Sequence, residues 1–175
     1  MLFPAIYGPT VMLRNFSPEE VTTDYVNWLN DPIINKYLEV RHVKVTLETQ
    51  KAFIDQINKS TDTYIFGLFV DGNRMVGTTK LGPVDPNLRT GDIGILIGDS
   101  NYWQKGLATE VIQLLCDAFK SAHLLQKVTA GAAESNIGSI KAFEKNGFSR
   151  EEMQLGPGID DCGNPVSNVI LTKIL

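Results

Sequence analysis

The chain has 175 residues, 43% of them hydrophobic, with a formal net charge of −4 and a sequence pI near 5.2. That length supports one domain, residues 1–175, with a substantial core, and the acidic balance argues against a basic nucleic-acid-binding face. No stretch is apolar enough to span a bilayer and residues 1–9 lack a signal-peptide pattern, so a cytoplasmic protein without membrane partners is expected.

In chain order, Thr10 to Phe16 reads as a first strand, and Ser17-Pro18-Glu19-Glu20 follows as a capping box with proline at the first helical position. The helix it opens is expected to bury Val21, Tyr25, Trp28 and Leu29. Asp31-Pro32 restarts a short helix through Tyr37 or Leu38, and Thr46 caps another, Leu47 to Asn58, with Phe53, Ile54 and Ile57 inward. Tyr64 to Val70 and Arg74 to Leu81, with Asp71-Gly72-Asn73 between them, form a hairpin. A Pro/Asn/Gly loop, Gly82 to Gly91, leads to a short apolar strand, Ile93 to Ile97.

Beyond that strand, Leu107, Val111, Leu114, Leu115, Ala118, Phe119 and Ala122 recur at helical spacing. A strand at Lys127 to Ala132, a helix at Ile137 to Lys145 ended by Asn146-Gly147, and strands at Phe148 to Leu155 and Val166 to Ile174 complete the chain. Strands alternating with helices after a hairpin predict an α/β fold: a mixed sheet with helices on both faces. The two cysteines, Cys116 and Cys162, lack metal-ligand spacing and read as ordinary reduced thiols.

The segment from Asp99 to Glu110 joins the Ile93–Ile97 strand to the long helix through a loop containing Gly106. Backbone N–H groups at such a helix start lack partners and, with the helix dipole, attract phosphate. Gly106 lets the chain approach an anion closely, Ala108 keeps the first turn narrow, and Lys105 can add a charge-assisted contact. A loop that only turns the chain has the same glycine. The order Lys105-Gly106 reverses that of a mononucleotide P-loop.

With Trp103-Gln104-Lys105-Gly106-Leu107-Ala108-Thr109-Glu110 after a central strand, the chain resembles the GNAT N-acetyltransferase superfamily, specifically its Rim-type (ribosomal-protein-alanine acetyltransferase-like) subgroup. A second block, Asn136 to Phe148, is similar to that subgroup's N-x-x-S helix and E-K-x-G-F strand entry. Thr10 to Arg14 and Trp28 to Asp31 also fit, so the likeness covers nearly the whole chain. Trp103 stands where many GNAT proteins carry Gln or Arg, a mark of the subgroup.

The resemblance implies a single GNAT domain whose central sheet is mixed, mostly antiparallel, twisted and of about seven strands. It implies acetyl-CoA as co-substrate, no metal, and a small-molecule or peptide amine as acceptor, with a homodimer as one possible assembly. The pyrophosphate would rest on the backbone of Gln104, Lys105, Gly106, Leu107, Ala108 and Thr109, and the pantetheine along Leu96 and Ile97; Asn136 and Lys145 are further candidate contacts, although Asn136 also suits a helix cap alone and Lys145 a solvated helix end.

Acetyl transfer requires a neutral amine, so a base must take its proton directly or through water. Asp92, placed by alternation on the face of Gly94 and Leu96, and Glu39 are the candidates, although Asp92 also suits a structural turn role. The tyrosine acid that many GNAT enzymes carry is replaced by Phe143, and Ser139, one turn earlier, is the candidate to assist departure of the CoA thiolate or to touch CoA, although it also fits an ordinary polar position near a helix start. Trp28, Asn30, Arg41 and His42 are candidate acceptor contacts, although Trp28 also fits a core position. Glu39, Arg41 and His42 together fit an acceptor that carries negative charge beside its amine, such as an amino-sugar nucleotide. A non-catalytic acetyl-CoA-binding module is the alternative.

Overall fold

The computed structural model describes residues 2–159 and 165–175, with side chains described outside 152–166. Eight strands form one sheet in the order β1-β2-β3-β4-β5-β6-β8-β7. They are β1 (Ile6–Tyr7), β2 (Met12–Asn15), β3 (Tyr64–Val70), β4 (Arg74–Leu81), β5 (Thr90–Ile97), β6 (Lys127–Ala133), β7 (Ser149–Ile159) and β8 (Pro165–Ile174). All neighbouring pairs are antiparallel except β5 with β6, which run parallel. The count exceeds the expected seven by β1, whose two residues are too few to carry a readable alternation.

The helices are α1 (Thr23–Asn30), α2 (Leu47–Lys59), α3 (Leu107–Ser121) and α4 (Ile137–Lys145). Alternation along the strands divides the core in two. Phe66, Leu68, Ile93, Val128, Ala130 and Leu171 face α3 and α4, where they meet Val111, Ile112, Leu115, Phe119, Ile140 and Phe143. Ile65 and Leu96 point the other way, against Phe16, Tyr25, Val26, Leu29, Ile54 and Ile57 around α1 and α2. Each fully buried large apolar side chain contributes about 1.5–3 kcal/mol, so both faces are held firmly.

Several expectations change in the N-terminal third. The Ser17 capping box opens only a single 3-10 turn, Pro18–Glu20, and α1 begins afterwards at Thr23 with Thr22 as its N-cap. Residues 31–38 are turns rather than a helix. Asp31 Oδ1 accepts from Ile33 N at 2.7 Å, and the buried Asn35 side chain donates to Leu29 O at 2.8 Å, so side chains take bonds that a continuing helix would make. Phe53 is 47% exposed, while the inward position on α2 that the sequence leaves unassigned is held by Gln50. Cys162 lies outside the described residues.

Candidate functional site

The parallel strands β5 and β6 pair only at their beginnings, through Thr90↔Lys127, Gly91↔Val128 and Asp92↔Thr129. Beyond that register β5 continues to Ile97 and β6 to Ala133 without pairing, so the two strands part like a fork. Asp92 O accepts from Gly82 N and Gly98 N donates to Val76 O, which directs the even-numbered backbone groups of β5 toward β4. By alternation, Ile95 turns its N–H and C=O toward the fork, where no strand meets them. An extended chain bearing amides fits there as a strand would.

Where the fork opens, the chain leaves β5 and enters α3 through a loop with Gln104 at φ +59° and Gly106 at φ +84°. Gly106 is the N-cap of α3, and a Cβ placed on it would meet no atom within 4 Å. The backbone N–H groups of the six residues Gln104 to Thr109 have no acceptor among the described residues. Six unpaired donors at the positive end of a 15-residue helix, with open space where a Gly106 side chain would stand, make an arrangement that can hold an anion. Lys105 is exposed beside it, its Nζ 5.9 Å from the Tyr102 ring centre.

At the apex of the fork, Thr129 Oγ1 donates to Asp92 Oδ1 at 3.0 Å. Burial pushes the Asp92 carboxyl above its usual range, opposed by the Thr129 hydrogen bond and by the positive charge of Lys80. Asp92 shares the α1/α2 side of the sheet with Gly94, which is exposed and would leave a Cβ in open space. On the other limb of the fork, Asn136 caps α4 by accepting from Ser139 N at 3.2 Å. The half-buried Ser139 lies four residues before Phe143, whose buried ring packs edge-on against Phe148 at 5.0 Å.

The remaining candidates separate. Leu96 buries its side chain against α1 and α2, and Ile97 gives its carbonyl to the Trp103 indole N–H at 2.8 Å. Asn30 commits its amide to Val26 O, Val45 O and Val45 N, bracing the end of α1 against the start of α2. Glu39, Arg41 and His42 lie together on a 3-10 turn, where Arg41 Nε donates to His42 Nε2 at 3.0 Å. Lys145 is exposed in the last turn of α4.

Trp28 is half-buried, its indole lying directly on Gly98, where an added Cβ would come within 2.1 Å of the ring. Its outer side faces a cleft of about 810 Å³ that includes Arg14, Glu20, Arg74 and Asp99. Those four charges are already paired, Arg14 with Glu20 and Arg74 with Asp99 at 2.6 Å. This cleft adjoins the end of β5, about 20 Å along the strand from Asp92.

Several groups that shape the site lie outside the sequence motifs' evident meaning. Buried Asn146 donates to Thr109 O at 3.0 Å and Ala142 O at 2.9 Å, fastening α4 to the first turn of α3. Glu110 accepts from Thr10 N at 2.9 Å and Val11 N at 3.1 Å, tying the same turn to the chain before β2. Tyr37 donates to Ser135 O at 3.1 Å, linking the turns after α1 to the β6–α4 connection. Apart from Asn146 and Ala142, four residues apart on one helix, these pairs are far apart in sequence, so no local pattern reveals them. Cys116 is buried, its thiol pushed up to about 11 by desolvation, and is no nucleophile. Among the described residues no group of three or more His, Cys, Asp or Glu could hold a metal ion, and no helix is long and apolar enough to cross a membrane.

An open anion cradle at the mouth of an unpaired strand edge fits a molecule with a diphosphate at one end and an amide-bearing arm, as acetyl-CoA has. Comparison with known proteins agrees. Residues 10–149 match the family model described as "Acetyltransferase (GNAT) domain". The probable N-acetyltransferase YjcK of Bacillus subtilis (strain 168) is 31% identical over 111 residues, 61% of this chain, and the aligned stretch spans 61% of that relative's length. Two solved structures share the fold: RimL, a ribosomal L7/L12 alpha-N-protein acetyltransferase in complex with coenzyme A (TM-score 0.86, 15% identity, 98% of each chain); and spermidine N-acetyltransferase from Vibrio cholerae in complex with CoA and spermine (TM-score 0.83, 16% identity, 95% of this chain and 96% of that one). The chain belongs to the acetyltransferase (GNAT) domain family.

Proposed function

We propose that this acetyltransferase moves an acetyl group from acetyl-CoA to a primary amine by direct attack, with both substrates bound together. The observation that carries the reading is the junction of the six unpaired N–H groups, Gln104 to Thr109, with the free edge of β5 beyond Asp92. Acetyl-CoA supplies an acetyl group activated as a thioester. The cradle holds the diphosphate, with Lys105 adding charge, and Ile95 offers its N–H and C=O to the arm in the fork.

Asp92, on the open side of the sheet beside Gly94, takes the proton of the incoming ammonium group. Its raised carboxyl pKa makes the carboxylate a better acceptor than an exposed one. Ser139 Oγ, on α4, donates its proton to the sulfur as the C–S bond breaks and regains one from the second proton that the acylated nitrogen sheds, so CoA leaves as a thiol; no phenol can do this where Phe143 stands. Glu39, Arg41 and His42 form the polar rim facing acceptors, which suits an amine that also carries negative charge, such as an amino-sugar nucleotide; a protein N-terminus or a polyamine is the competing class. Action in the cytoplasm, where acetyl-CoA is abundant, is part of the reading.

Thiol release from acetyl-CoA, measured across spermidine, amino-sugar nucleotides and peptides with free N-termini, tests this. Release with at least one class is expected. Tight acetyl-CoA binding without release from any amine would instead make the chain a non-transferring binding module.

A further inference from the structure

Asp92 is the last residue of β5 to pair with β6, and its partner in that final register is Thr129. Thr129 Oγ1 donates to Asp92 Oδ1 at 3.0 Å, while Oδ2 has no hydrogen-bond partner among the described residues. A carboxylate at the end of a short side chain rotates freely unless one oxygen is fixed. Here the fixing bond comes from the strand that forms the opposite limb of the fork. Resting on the reading of Asp92 as the proton acceptor, we propose that Thr129 is a positioning residue, whose hydroxyl holds Oδ1 so that Oδ2 faces the reacting amine.

The neighbourhood isolates this contact. On the same side of the sheet, β4 contributes Lys80, exposed and electrostatically coupled to Asp92, and β6 contributes Lys127, paired with Glu151 at 3.4 Å. The segments over this face contribute Tyr25, whose hydroxyl accepts from Gln50 at 3.3 Å, and the turn bearing Glu39, Arg41 and His42, beside Leu38 and Val40. None of these groups donates a hydrogen bond to Asp92. Across β6 from Thr129, in the Thr129↔Thr172 register, Thr172 sits buried with its Oγ1 unpartnered. It supplies an internal control, a threonine in the same row and strand environment without a bond to the carboxylate.

The test uses the full chain and the variants Thr129→Val, Thr129→Ser, Thr172→Val and Asp92→Asn. Carboxyl-labelled aspartate followed by carbon NMR gives the Asp92 titration with no acceptor present. The pH profile of kcat/KM, with acetyl-CoA and the amine giving most thiol release, gives the acidic limb. Because Thr129 bonds the ionised form, Thr129→Val is expected to move both upward by about one pH unit, with Thr129→Ser and Thr172→Val unchanged. Thr129→Ala replaces Thr129→Val should the latter fail to fold. An unchanged titration in Thr129→Val, or an equal shift in Thr172→Val, overturns the positioning role. If Asp92→Asn keeps the wild-type acidic limb, the reading of Asp92 as base fails; if it loses that limb while Thr129→Val does not move it, positioning alone fails.

Discussion

The indole N–H of Trp103 donates to the carbonyl of Ile97 at 2.8 Å, so the residue that opens the anion loop also closes the free edge of β5. The bond ties the loop to the end of β5, and in the proposed reading a diphosphate and its attached arm occupy the loop and the fork together. Trp103→Phe keeps the ring and removes the donor. The expected result is a rise of about 3–10-fold in KM for acetyl-CoA with kcat nearly unchanged, read from initial rates at saturating amine.

Asp92→Asn separates function from stability. As proton acceptor Asp92 is expected to contribute about 100-fold or more to kcat, and the variant's loss should be full where Asp92 is ionised and shrink as falling pH protonates the wild-type carboxylate. Its effect on stability has the opposite sign. A carboxyl whose pKa is raised on folding binds its proton more tightly in the folded chain, so stability falls as pH climbs from the unfolded carboxyl range through the higher folded value. Asp92→Asn is therefore expected to melt at or above wild type at pH 8, with the difference fading below about pH 4.

Ser139→Ala tests proton donation to the departing sulfur. Its backbone bond to Asn136 survives the change, so the α4 cap and the melting temperature should hold. A fall in kcat of about 10-fold or more with unchanged KM for acetyl-CoA is expected from steady-state rates.

Glu110 accounts for the tie between α3 and the chain before β2, through Thr10 N, Val11 N and the Thr10 hydroxyl. Glu110→Ala leaves two backbone donors without their acceptor. A loss of about 1–3 kcal/mol in urea unfolding is expected, with kcat largely retained.

The sequence makes legible those parts of the fold and site that depend on neighbours along the chain. The hairpin Tyr64–Val70 and Arg74–Leu81 is found at those boundaries, because turn residues between two apolar runs leave one pairing. Helix α4 likewise spans Ile137–Lys145, fixed by Asn136 at its start and Gly147 after its end. The unpaired donors of the loop around Gly106 are legible because helix starts leave N–H groups without partners whatever follows. Relations between distant segments are not legible. That Asp92 meets Thr129, 37 residues away, depends on which strand lies beside β5. That Ile95 rather than Leu96 turns its backbone to the fork depends on the register of β5 with β4. Asn30, polar and near the acceptor side, turns out to be occupied by backbone that no local pattern places beside it.

The central claim is that the main chain from Gln104 to Thr109 grips the diphosphate of acetyl-CoA. Titration calorimetry of acetyl-CoA into wild type and Gly106→Val, with circular dichroism confirming that both are folded, tests it most directly. The account expects saturable heat for wild type and affinity weakened at least about 10-fold in Gly106→Val, where a branched side chain enters the cradle at a left-handed φ of +84°. Equal affinities, or no heat with folded wild type, would contradict it.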